Sequence, residues 1–213
     1  DLFTIAHEIG HALHSYLANH AQAYVNAHYP IILAEIASTV NEVLLVLHLI
    51  ERAQTREEKL FYLHHFLEHF RATVYRQTMF AEFEKIIHEQ VEKGEALTPE
   101  WLEEEYYTLV KTYHGPGVTV DAEIKAEWSR IPHFYYNFYV YKYATGFCSA
   151  VAFVQKFREE GGAAVQNYLR LLAAGGSDYP LELLKRAGVD LSVPEPLVAA
   201  MSMFKQLVKE FAG

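Results

Sequence analysis

A single cysteine, Cys148, in 213 residues excludes an internal disulfide framework and fits a reducing compartment, so a cytoplasmic location is expected. Basic residues are also scarce. Eighteen Lys and Arg stand singly among 27 Asp and Glu, giving a net charge of −9 and no basic patch. An acidic surface repels both nucleic-acid phosphates and anionic lipid headgroups, so neither nucleic acid nor membrane is an expected partner. Long hydrophobic runs are missing too: the longest, Val43 to Ile50, is interrupted by His48 and falls well short of the roughly 20 residues a spanning helix needs. No stretch has the form of a secretory leader. Internal repeats, low-complexity tracts, alternating strand patterns and Pro/Gly/Ser-rich linkers are likewise lacking. What is present is a chain 51% hydrophobic and 14% aromatic, enough to bury a core. With no linker to divide it, residues 1–213 read as one all-α, multi-helix domain.

Helical periodicity runs through nearly all of it. A first helix begins at the N-terminus, and a polar connection, Asn19 to Tyr29, leads to Pro30 and a second helix over about Ile31 to Ala53, with Ile32, Ile36, Val40, Val43, Leu44 and Leu47 on its apolar side. Thr55-Arg-Glu-Glu58 is a capping box opening a third, long helix that continues to Lys93 and stops at Gly94. Thr98-Pro99 starts a fourth, to about Thr112. His114-Gly115-Pro116-Gly117 is the most loop-like stretch. Asp121 is expected to cap a short helix through Arg130, and a tyrosine-rich helix should run from Tyr135 to Glu160. Helices over 163–174, 180–187 and 194–211 complete the chain.

The chemistry is concentrated in the first helix, where His7-Glu8-Ile9-Gly10-His11 is an H-E-x-x-H motif. Histidines at i and i+4 share a helical face and can converge on one zinc ion, while the glutamate between them can reach a water there. A catalytic zinc normally takes three protein ligands, so a third must come from elsewhere. The longer pattern with a glycine and third histidine on the same stretch fails, because His14 and Leu17 occupy those positions. A glutamate on the next helix is the other solution. Glu35, among the small and apolar residues of Leu33 to Ser38, is the candidate, and Glu42, two turns on, suits a carboxylate accepting the free N–H of a liganding histidine. Taken alone, Glu35 reads more readily as a solvated carboxylate. His64, His65 and His69 have no carboxylate or cysteine at ligand spacing and read as partly exposed helix positions. A ferritin-like di-iron site would use Glu8-x-x-His11 but requires a second Glu-x-x-His, which the chain does not contain.

Three separated stretches carry a family resemblance. His7-Glu8-Ile-Gly-His11-Ala-Leu-His14, Ala34-Glu35-Ile36-Ala37-Ser38-Thr39-Val40-Asn41-Glu42 and Pro132 to Gly146 together resemble oligoendopeptidase F of the thimet-oligopeptidase-like zinc metallopeptidases. The resemblance covers essentially the whole chain. It implies a zincin-like catalytic domain in which the H-E-x-x-H helix packs against a glutamate-bearing helix. His7, His11 and Glu35 would be the ligands of one Zn2+ per chain, and Glu8 the general base that activates a water for attack on a peptide. It also implies that a histidine and tyrosines from a later helix bind substrate and stabilise the oxyanion: His133, Tyr136 and Tyr143 are the matching positions, with Tyr139 in reserve. Tyr136, Tyr139 and Tyr143 would share a helical face; from the residues alone they read more readily as aromatic core. The His114–Gly117 loop resembles a flexible segment lying over bound peptide, or serves as a plain interhelical turn. Family members are longer, so the resemblance implies the C-terminal part of a larger peptidase with an N-terminal lobe as partner. A helical zinc-binding module without turnover is the alternative.

Overall fold

The computed structural model describes residues 2–213, and among these every regular element is helical. The helices are α1 (Leu2–Ala21), the single turn α2 (Tyr24–Ala27), α3 (Ile31–Arg52), α4 (Arg56–Phe70), α5 (Arg76–Glu92), α6 (Pro99–His114), α7 (Tyr141–Glu160), α8 (Gly162–Ala173), α9 (Pro180–Arg186) and α10 (Glu195–Ala212). The all-α expectation holds. The chain gathers into two compact units, one comprising residues up to Arg71 with Thr145–Gly213, the other Ala72–Ala144.

In the first unit α1 packs on α3 and α8. It turns Gly10, His14 and Ala18 inward and leaves Leu2, Ile5, Ile9 and Tyr16 exposed. Gly10 sets the approach of α1 to α3: a Cβ there would stand 2.5 Å from Ser38 Cα and 2.6 Å from the Ala37 carbonyl oxygen. α3 buries Leu33, Ile36, Val40, Val43, Val46, Leu47 and Ile50, whereas Leu44, expected on that side, is exposed. By length and composition α3 could cross a bilayer, but half of its most apolar window is buried inside the protein. Phe66 and Phe70 of α4 meet Phe147 of α7, and Phe70 stacks on Phe204 of α10 at 4.5 Å.

The capping predictions at Thr55 and Thr98 hold. Thr55 Oγ1 accepts the Glu58 N–H at 3.1 Å, and Glu58 reaches back to the Gln54 N–H at 2.8 Å. Thr98 Oγ1 accepts the Trp101 N–H. Asp121 is a correction: it makes no side-chain cap, and Ala122–Arg130 is a 3-10 helix. The long third helix is also not uniform, since Arg71–Tyr75 forms a π-helical turn between α4 and α5. Such a turn shifts the helical register. The second unit's core is built from Met79, Phe80 and Phe83 of α5, Leu102, Tyr106, Leu109 and Val110 of α6, and Ile131 and Val140. Glu127, nearly buried there, is neutralised by Arg76 and Arg130 and accepts the Tyr106 hydroxyl at 2.7 Å.

The helix expected from Tyr135 begins only at Tyr141. Pro132–Tyr135 is a short 3-10 turn, Tyr136 is extended, and Phe138 is left-handed at φ +51°. Tyr136 and Tyr139 therefore do not share a helical face with Tyr143, because the backbone between them leaves the helical region twice.

Candidate metal centre and aromatic cluster

The first unit brings His7, His11 and Glu35 together: one ligand atom from each lies within 4.8 Å of the others, in a half-buried group. The i, i+4 spacing on α1 turns both imidazoles the same way, with ring centroids 4.7 Å apart and the rings nearly perpendicular. Glu35 projects from α3, its Oε2 3.9 Å from His7 Nε2. Glu8 is exposed on α1, the next residue round the helix from His7.

Each histidine is anchored by its remote nitrogen. His7 Nδ1 lies 2.7 Å from Glu42 Oε1, so it is the donor to that carboxylate. His11 Nδ1 lies 2.8 Å from Ser38 Oγ, and the Ser38 hydroxyl itself points to the Ala34 carbonyl oxygen at 3.4 Å. Ser38 therefore accepts from His11. With both protons placed on Nδ1, both Nε2 atoms carry lone pairs, and they face each other across 3.1 Å. Two lone pairs at that distance repel unless a cation lies between them and the Glu35 carboxylate. Two imidazole nitrogens and one carboxylate oxygen are also the donor set of a catalytic zinc, with the remote nitrogens held in the usual way. The residues fit the metal.

Glu42 was expected to serve a liganding histidine, and its geometry does so. Burial raises its carboxyl above the ordinary range, while the His7 hydrogen bond and charge work in the opposite sense. Its second oxygen lies 3.4 Å from His69 Nδ1. This corrects the expectation that His69 has no carboxylate partner: the partner comes from α3, which spacing along α4 cannot reveal. Burial, then His65 and His7, hold the His69 pKa down to about 4. His65 stacks on Phe3 at 3.8 Å, and these rings, with Phe61 and His64, line a cleft of about 580 Å³ that reaches His7 and Glu42. Ser38 and Gly10 were also missed. A glycine inside an apolar helix was the available signal, since it is tolerated there mainly for close packing.

In the second unit, His133 gathers the tyrosines despite their irregular backbone. Its ring centroid lies 6.4 Å from Tyr136, 5.4 Å from Tyr139 and 5.8 Å from Tyr143, and the Tyr143 hydroxyl is 3.3 Å from His133 Nε2. Tyr136 is 60% exposed, so the group is not sealed core. The His114–Gly117 stretch caps α6 through Gly115 at φ +72°, and His114 donates Nδ1–H to the Val110 carbonyl.

A helical protein whose H-E-x-x-H helix packs on a glutamate-bearing helix, with all three donors converging, has the zincin-like arrangement. Sequence comparison gives the family: residues 1–203 match the model for peptidase family M3, and the chain belongs to that family. It is 50% identical over 210 residues to the oligopeptidase PepF of Bacillus subtilis, covering 99% of this chain and 31% of the relative. It is 46% identical to the plasmid oligoendopeptidase F of Lactococcus lactis subsp. cremoris, covering 35% of that protein. A crystal structure of oligoendopeptidase-F from Enterococcus faecium superposes with TM-score 0.89 at 47% identity, covering 99% of this chain and 38% of that one. The chain thus spans about a third of the length of the relatives it matches.

Proposed function

We propose that this chain carries the zinc-dependent centre of an oligoendopeptidase that hydrolyses short, unfolded peptides in the cytoplasm. The observation that carries the reading is the convergence of His7, His11 and Glu35 with Glu8 beside them in H-E-x-x-H spacing. The names of the relatives, oligopeptidase and oligoendopeptidase, support peptides as substrates. The single buried thiol of Cys148 supports a reducing compartment.

In this reading His7, His11 and Glu35 hold one Zn2+. When bound, the ion supplies a Lewis acid that lowers the pKa of water and polarises a carbonyl. Glu8 takes one proton from the attacking water as its oxygen bonds to the scissile carbonyl carbon. It passes that proton to the amide nitrogen as the C–N bond breaks, while the second proton stays on the attacking oxygen, giving a carboxylic acid and an amine. Glu42 and Ser38 keep the His7 and His11 rings turned with Nε2 toward the centre. His133, Tyr136 and Tyr143, with Tyr139 beside them, bind the peptide backbone and stabilise the oxyanion. Their support is the family resemblance and the Tyr143 hydroxyl, a donor able to turn from His133 to a developing negative charge.

Residues 1–213 act in this reading as a helical catalytic portion completed by an N-terminal lobe of the same parent protein. The exposed apolar face of α1, with Leu2, Ile5 and Ile9, and the threefold greater length of the relatives support such a partner. The same length difference favours one second reading, a zinc-binding helical module without turnover of its own. A quenched-fluorescence peptide assay on the zinc-loaded chain, alone and with the lobe supplied, separates them. Cleavage that disappears in Glu8→Gln supports the peptidase; no cleavage in either format sinks it.

A further inference from the structure

The segment joining the Pro132–Tyr135 turn to α7 is held by one buried carboxylate. Phe138 is the one non-glycine among the described residues in the left-handed region, a conformation that is costly for a bulky side chain and persists only where the surroundings impose it. What imposes it is α5. Glu84, 1% exposed, accepts the Phe138 N–H through Oε1 at 2.6 Å. One turn along α5, His88 donates Nδ1–H to the Glu84 carbonyl at 2.7 Å. The His88 ring lies against the Phe138 ring at 4.5 Å. Two α5 side chains therefore bear on Phe138, Glu84 through its N–H and His88 through its ring.

A buried carboxylate is a costly means of satisfying one backbone N–H, and the second unit has an apolar core that would accept a hydrophobic residue instead. Burial pushes the Glu84 carboxyl upward, while the Phe138 N–H, then His88 and Lys142, favour its ionised form. The gripped turn lies between His133 and Tyr136 on its N-terminal side and Tyr139 and Tyr143 on its C-terminal side. These are the rings of the cluster, in which each tyrosine centroid lies within 6.4 Å of that of His133. Were residues 136–140 helical, as their sequence suggests, Tyr136 and Tyr139 would project differently. The left-handed step at Phe138 interrupts that helix between Tyr136 and Tyr139.

We infer that Glu84 is a positioning residue for peptide binding: by bonding the Phe138 N–H it fixes the turn that sets Tyr136 and Tyr139 beside His133 and Tyr143. The inference rests on the reading of that cluster as a substrate-binding group. Glu84 touches none of the four rings in this role and acts only through the backbone at Phe138.

The test compares Glu84→Gln, which keeps an acceptor oxygen, with Glu84→Ala, which does not, in the zinc-loaded 213-residue chain. The cluster is read by NMR as cross-relaxation between the His133 ring and the Tyr139 and Tyr143 rings. Glu84→Gln should retain these signals. Glu84→Ala should lose them with helix content and zinc stoichiometry unchanged, and the double variant Glu84→Ala/Phe138→Gly should regain them in part, because glycine accepts positive φ. Persistence of the ring signals in Glu84→Ala overturns the inference. If Glu84→Ala also lowers helix content, failure of Phe138→Gly to restore it overturns the inference as well, since the carboxylate then serves the core and not the turn. In peptide hydrolysis, loss of the signals should lower kcat/KM on the order of 10- to 100-fold, chiefly through KM. Unchanged kinetics in a variant without the signals would remove the substrate-binding reading of the cluster, leaving Glu84's hold on the turn in place.

Discussion

His7 Nδ1 stands 2.7 Å from Glu42 Oε1, across the interface of α1 and α3, and this bond decides which nitrogen of His7 is free for a metal. Glu42→Ala should weaken zinc binding by about 10- to 100-fold, as loss of a carboxylate behind a liganding histidine usually does. Ser38→Ala, which removes a neutral acceptor behind His11, should cost less. Competition against a chromophoric chelator measures both, and equal losses would contradict the difference in charge between the two anchors.

Glu8 and His7 are neighbours in sequence, and the roles proposed for them are separable. Glu8→Gln should reduce peptide hydrolysis to background while one zinc per chain is still found by elemental analysis. His7→Ala should lose the metal itself. Residual hydrolysis near wild-type level in Glu8→Gln would remove Glu8 from the role of base.

Gly10 has no room for a methyl group, since the atoms its Cβ would meet are backbone atoms of Ala37 and Ser38. Gly10→Ala must separate α1 from α3, at a cost on the order of 1 to 3 kcal/mol despite alanine's better helix propensity. The same separation would lengthen the His11–Ser38 bond. Thermal unfolding should show a lower Tm, and the zinc titration a weaker affinity. A Tm at or above wild type would show that the helices are free to part.

His14 gives the fold a pH dependence. Its ring is fully buried, stacked on Tyr29 at 3.5 Å, and burial followed by the nearby His11 lowers its pKa from 6.5 to about 4. Between those values the unfolded chain binds the proton and the folded chain does not, so stability is present above about pH 6.5 and is lost as pH falls. The full effect is on the order of 3 kcal/mol, with about 2 kcal/mol of it gone by pH 5. Urea unfolding of the metal-free chain at pH 7.5 and pH 5 checks this against His14→Phe. The variant should lose less stability on acidification, and identical slopes would exclude His14 as the source.

How far the site could be read in advance differs between its parts. His7 and His11 are legible because a helix repeats nearly every four residues, so two identical side chains at i and i+4 must share a face. The pairing of Thr55 with Glu58, and the Pro99 start of α6, follow from equally local rules. Tyr136, Tyr139 and Tyr143 have that same spacing, yet there the local rule fails. Glu84, more than fifty residues away, takes the Phe138 N–H and holds the backbone out of the helix. His69 likewise finds Glu42 only across α3 and α4.

By itself the sequence determined the all-helical architecture, the Thr55 and Thr98 caps, the shared face of His7 and His11 and the family, because periodicity and short motifs act within a few residues along the chain. Tertiary structure alone decided the close approach at Gly10, the anchoring of His11 by Ser38, the Glu42–His69 proximity and the irregular turn that gathers tyrosines around His133. Each of these depends on side chains brought together from distant positions, where one buried hydrogen bond or one missing Cβ outweighs local helical preference.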